Sequence, residues 1–108
     1  MNKYNISVTP YALRQMEEIG LYISDSLSEP LVAARLLDTL EQAILSLEIM
    51  PERCPLTDIE PWKSYGFRRI LVKNYLIYFW IDVTTVHITA VVYGGKDQMT
   101  ELESMDAE

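Results

Sequence analysis

The stretch Phe67-Arg68-Arg69-Ile70-Leu71-Val72-Lys73-Asn74-Tyr75-Leu76-Ile77-Tyr78-Phe79-Trp80-Ile81 decides the fold. Phe67 to Val72 reads as one strand. Lys73-Asn74 has the length and residue type of a tight hairpin turn. Tyr75 to Ile81 is apolar at odd and even positions alike, so it reads as a central strand covered on both faces. After a turn over Asp82 to Thr85, Val86, Ile88, Ala90 and Val92 alternate with His87, Thr89, Val91 and Tyr93, the period of a last strand. Gly94-Gly95 releases the chain. Three consecutive strands with short joints form an antiparallel meander.

Upstream, the period changes. Tyr4 to Val8 alternates apolar and polar, a half-buried strand. Thr9-Pro10 is a helix start, with an oxygen for the N-cap and a proline where no N–H is needed. Leu13, Met16, Gly20, Ile23 and Leu27 then form one helical stripe. Ser28-Glu29-Pro30 breaks that helix and opens another. Its stripe is Ala33, Leu37, Leu40, Ile44 and Leu47, and it ends at Met50-Pro51. The short joint predicts an antiparallel helical hairpin. Residues 51–65 hold Pro51, Pro55 and Pro61 with no period. A loop of that length is either functional or mobile.

The fold class is α+β in the order β-α-α-β-β-β, with a meander sheet packed on a helical hairpin. Residues 1–97 form the domain. Residues 98–108 are an acidic tail, for which a short helix and a disordered end both stay open. The hairpin covers one sheet face, and the other has no second helical layer to cover it. A ligand or partner is expected there.

The 108 residues suit one domain with a core of its own. Net charge is −7. It is −4 over residues 1–50, +2 over 51–96 and −5 over 97–108. Residues 51–96 are thus the place to meet an anion, and the total argues against a general nucleic-acid binder. No apolar run reaches the ~18 residues of a membrane span, and the N-terminus is too polar for a secretory signal. A single cysteine, Cys54, excludes an internal disulfide and a multi-cysteine zinc site. No phosphate loop, dinucleotide glycine pattern, zinc-protease motif or nucleophile elbow is present. No cofactor and no metal are expected, and the lone thiol fits a cytoplasmic location.

Adjacent strand residues face opposite ways, so Arg68 and Arg69 put one guanidinium toward the helices and one toward the open face. Which is which stays open on alternation alone. A guanidinium on an open face suits phosphate or carboxylate, and Tyr75, Tyr78, Trp80 and Tyr93 add aromatic surface. An internal ion pair and core packing explain the same residues.

Pro51-Glu52-Arg53, the run Gly66-Phe67-Arg68-Arg69-Ile70-Leu71-Val72-Lys73-Asn74-Tyr75, and Val91-Val92-Tyr93-Gly94-Gly95-Lys96-Asp97 resemble the RelE/ParE superfamily of bacterial type II toxins. The likeness runs from Tyr4 to Asp97. It implies a toxin of a plasmid-stabilisation or growth-control module, neutralised by a cognate antitoxin. It also makes Arg68 the arginine preferred for the open face. Two chemistries follow from the resemblance. ParE-like members bind DNA gyrase, and here Arg68, Arg69, Lys73 and Tyr93 would contact a target or anion. RelE-like members cut messenger RNA on the ribosome. In that case Arg68 would stabilise the phosphate, with Lys96 and Tyr93 assisting. Lys96 stands where such enzymes often carry arginine, and residues 97–108 hold no tyrosine or histidine. Those departures and the net acidity favour a protein target, with the ribonuclease and an inactive interaction module as alternatives.

Overall fold

A computed structural model describes residues 3–106. The order is β1 (Asn5–Val8), α1 (Pro10–Leu21), a π-turn over Tyr22–Ser26, α2 (Pro30–Ser46), a short 3-10 turn over Pro51–Arg53, β2 (Arg68–Val72), β3 (Tyr75–Asp82), β4 (Thr85–Tyr93) and α3 (Gln98–Asp106). The sheet order is β1-β4-β3-β2. The meander is antiparallel, and β1 returns beside β4 in parallel. The α1–α2 hairpin carries the chain from β1 toward β2 at the opposite edge of the sheet and packs on one face.

Local chemistry sets the element ends. Thr9 caps α1 by accepting the Ala12 N–H on Oγ1 at 3.1 Å, with Pro10 in the first turn. The stripe that α1 buries is Ala12, Met16 and Gly20, then Ile23. It lies one residue off the expected stripe at its start, so Leu13 is 55% exposed. The π-turn widens the last turn and rotates Leu27 out as well. Gly20 allows the hairpin to close, since a Cβ there would lie 2.8 Å from Leu37 Cδ1. In α2, Ala33, Leu40 and Ile44 are buried as the spacing predicts, and Leu47 caps the helix. The helix ends at Ser46 rather than Met50, because Met50 turns left-handed (φ 47°) ahead of the 3-10 turn.

Two findings correct the sheet as read from sequence. A β-bulge sits opposite Tyr78/Phe79, leaving Thr89 without a cross-strand partner. The bulge changes parity along β4. Val86, Ile88 and Val91 face the helices, whereas Ala90 and Val92 face the other way. Strict alternation had put Val86, Ile88, Ala90 and Val92 on one face.

The second correction concerns the face expected to be open. It carries a core of its own. Trp62, Leu76, Tyr78, Ala90, Val92, Leu102 and Met105 are buried together, with Tyr11, Ile59 and Phe67 against them. Two segments provide this cover. One is α3, which contributes Leu102 and Met105. The other is the 51–67 connection, where Trp62 and Thr57 are buried. That connection is tied down by Thr57 N–H to Phe67 O (2.9 Å), Arg69 N–H to Pro55 O (3.1 Å) and an isolated bridge between Leu56 and Arg68. Its Glu60–Pro61 peptide is cis. Gln98 anchors α3: it accepts from the Tyr78 hydroxyl at 2.8 Å and donates to the carbonyls of Tyr93 (3.1 Å) and Lys96 (2.8 Å). The tail expectation for residues 107–108 lies outside the described residues. No helix among the described residues is long and apolar enough to cross a membrane.

Candidate functional site

A cleft of about 670 Å³ lies between α1, the end of β4 and the start of α3. α1 presents Tyr11, Arg14, Gln15, Glu18 and Ile19 to it, the face next to its buried stripe, and the π-turn adds Tyr22. Tyr75, Val91 and Tyr93 form the floor, and Lys96 and Glu101 the rim. Volume and mixed lining are those of a binding site.

The cleft brings together two of the expected residues, Tyr93 and Lys96. Tyr93 meets Tyr75 edge-on, centroids 5.8 Å apart at 69°. Lys96 Nζ lies 3.8 Å from Glu101 Oε1. The Arg14 guanidinium stands 6.0 Å from the centre of the Tyr11 ring. Burial, reinforced by Glu101 and Glu18, pushes the Tyr11 phenol above its usual pKa. Burial and the neighbouring Tyr93 and Tyr22 do the same to Tyr75. Both phenols are therefore held as hydrogen-bond donors and are weak general bases at neutral pH.

Arg68 and Arg69 lie elsewhere. Arg68 pairs across the sheet with Phe79, and Tyr93 with Tyr75. Four residues of strand separate the two levels, about 13 Å. Arg68 faces the helix side. Its Nη1 donates to the carbonyls of Cys54 at 2.6 Å and Glu52 at 3.3 Å, which staples the connection after α2 to the sheet. Arg69 is the one on the second face. It hydrogen-bonds the Tyr78 phenol and sits 3.6 Å from Asp58 Oδ2. The preference for Arg68 on an open face is thus corrected on both counts: Arg69 takes that side, and the side is covered. Alternation stated that the two diverge, and only the cross-strand register tells which goes where.

Lys73 is exposed at the β2–β3 turn with φ 57°, at the same end of the sheet as Tyr75 and Tyr93. His87 stacks on Trp80 (centroids 4.5 Å, 21°), with Nε2 3.8 Å from Asp82 Oδ2, at the opposite end. Cys54 is buried, and burial raises its thiol pKa against the pull of Arg53 and Arg68.

Sequence reasoning passed over the α1 side of the cleft. Tyr11, Arg14, Gln15, Glu18 and Tyr22 recur at helical spacing beside the apolar stripe. Two tyrosines on an otherwise charged face were the available signal.

Comparison with known proteins bears on this geometry. A family model described as the ParE toxin of the type II toxin–antitoxin system parDE matches residues 6–98. Among solved structures, the chain is similar to one from the chromosomal ParDE toxin–antitoxin system of P. aeruginosa. The TM-score is 0.71 at 12% identity, over 84% of this chain and 96% of that one. It is also similar to a chain of the toxin–antitoxin complex RelBE2 from Mycobacterium tuberculosis. That likeness has a TM-score of 0.58 at 22% identity, over 84% of this chain and 98% of the other. A search of the curated proteins found no match. The match covers the hairpin, all of the sheet but its first residue and the floor of the cleft, so the chain belongs to the ParE toxin family and is a type II toxin on the ParE/RelE fold.

Proposed function

We propose that this toxin arrests growth by binding a protein target, DNA gyrase first among them, and that a cognate antitoxin encoded beside it neutralises it. The observation that carries this reading is the commitment of Arg68. Ribonucleolytic use of Arg68, Lys96 and Tyr93 needs the three to converge on one phosphate. A cation must sit where charge develops and a base within hydrogen-bond reach of the 2′-hydroxyl. Arg68 is instead bonded to two backbone carbonyls about 13 Å along the sheet from Tyr93. Lys96 shares its charge with Glu101. Membership of the ParE family supports the same reading.

On this reading the target is met by the Tyr93 end of the sheet. Lys73 supplies charge there, and Arg69 holds the Tyr78 face in shape. The net charge of −7 suits a protein target better than the RNA of a ribosome. A cytoplasmic site of action follows from such a target. The testing experiment is induced expression with and without the neighbouring open reading frame, followed by mapping of messenger-RNA ends and plasmid supercoiling. Growth arrest, relaxed plasmid and intact messages are expected. Codon-periodic cuts that vanish in an Arg68→Ala variant would assign the RelE-like chemistry instead. Unimpaired growth would leave an interaction module on the same fold.

A further inference from the structure

The joint between α1 and α2 leaves its apolar side chains in solvent. From Asp25 to Val32 every residue is exposed. Ile23 and Ala33, on either side of the joint, are buried. Leu21, Leu27, Leu31 and Val32 are 52%, 51%, 70% and 47% exposed. Single exposed apolar residues are ordinary, but four gathered around one joint mark an interaction surface. The backbone there is tied. Leu27 N–H donates to Tyr22 O at 3.1 Å and Glu29 N–H to Ile23 O at 3.0 Å. Ser28 between them is left-handed (φ 56°), a conformation that residues with a Cβ seldom hold. The shape is thus set before a partner arrives, which lowers the ordering cost of binding. Charge is one-sided as well. Between Arg14 and Arg35 the chain carries Glu17, Glu18, Asp25 and Glu29 and no basic residue. Asp25 and Glu29 make no ion pair among the described residues. Glu29 occupies the N-cap of α2, yet its side chain makes no capping bond. α1 runs beside β4 toward its end: Gln15 bonds Val91, and Tyr22 lines the cleft together with Tyr75 and Tyr93. The joint therefore stands at the Tyr93 end of the molecule.

We infer that the hairpin joint docks into the toxin's protein target, at an apolar hollow rimmed by lysine or arginine. Leu27, Leu31 and Val32 fill the hollow, and Asp25 and Glu29 meet the rim. The apolar contact gives affinity, while the charges steer the approach and fix the orientation. An enzyme that holds DNA presents such basic surface, because phosphate contact is made by Lys and Arg. The joint is also continuous with the end of the sheet at which the target is met. The inference rests on the protein-target reading and specifies which surface of the toxin the target takes.

The test measures binding of the full chain to purified gyrase by calorimetry. Leu27→Ser with Leu31→Ser is expected to weaken binding about tenfold or more. Asp25→Lys with Glu29→Lys reverses the rim charge and is expected to do the same. Asp25→Asn with Glu29→Gln should fall between that variant and the parent. Affinity of the parent is expected to drop severalfold from low to physiological salt, and the Asn and Gln variant to show less of that dependence. The substituted side chains are exposed, so the fold is kept, and undiminished binding of the protein encoded by the adjacent open reading frame verifies it. Should the serine pair not fold, the charge variants and the salt dependence decide. Parent and variants that bind gyrase equally overturn the inference and leave the target reading standing. Variants that keep gyrase and lose the adjacent protein overturn it too, and give the joint to the antitoxin. A parent that does not bind gyrase removes the target reading and this inference with it.

Discussion

At the scale of single residues, Lys73 separates stability from action. It holds a left-handed backbone (φ 57°) that costs a residue with a Cβ about 1 kcal/mol. Lys73→Gly should raise the denaturation midpoint by about that energy while weakening growth inhibition, because the charge at the target end is gone. Chemical denaturation and a growth assay on the same variant check both. Arg68 shows the reverse. Arg68→Ala removes donors to the carbonyls of Glu52 and Cys54. It should cost about 1–3 kcal/mol, with activity per folded molecule retained.

The tyrosines set an alkaline limit. Tyr11, Tyr75 and Tyr78 all have phenol pKa values raised in the fold, each chiefly by burial. For an acid whose folded pKa lies above its unfolded one, the folded chain binds more protons between the two values. Stability is therefore full below the unfolded value near 10 and falls as pH rises from there through the folded pKa. A midpoint that drops steeply above pH ~10, and less steeply in Tyr78→Phe, is the expected result.

Among elements, the bulge in β4 and helix α3 decide what the molecule can present. Deleting Thr89 removes the one residue of β4 without a cross-strand partner, and Ile88, Ala90 and Val91 then alternate strictly, with Val91 still in the helix-side core. That variant should lose the local bonds of the bulge, Thr89 hydroxyl to Tyr78 carbonyl and Thr9 hydroxyl to Thr89 carbonyl, and still unfold in one cooperative transition, as read by thermal unfolding. Gln98→Ala strips three hydrogen bonds from the base of α3. Faster amide exchange across residues 98–106, with β3 and β4 unchanged, would show that α3 opens as a unit.

These two elements also mark how far the sequence was legible. The meander, the hairpin and the order of elements follow from period alone, because apolar spacing changes sharply from helical to alternating at Phe67. The bulge does not, since one extra residue leaves a run of Val, Ile and Ala still apolar at both parities. Nor does the cover on the second face. Leu102 and Met105 are too few to raise a helical stripe among the acids of the tail, and Trp62 lies in a stretch with no period. Of the site, Tyr93 and Lys96 were readable from the resemblance. The α1 wall was not, because its residues read equally well as a solvated helix face.

At the scale of the whole molecule, an acidic chain with both sheet faces covered is built to meet proteins. Its cations are dispersed: Arg68 is in a staple, Arg69 against Asp58, and Lys96 against Glu101. Such a surface has no focused field for a polyanion. A binding feature is the aromatic cleft at one end. The central claim is that growth arrest comes from protein binding rather than RNA cleavage. The most direct measurement adds the purified toxin to a supercoiling reaction with purified gyrase and relaxed plasmid. Inhibition that is retained by Arg68→Ala and relieved by the antitoxin is the predicted result. Undisturbed supercoiling, with the same preparation cutting messages on purified ribosomes, would contradict the account.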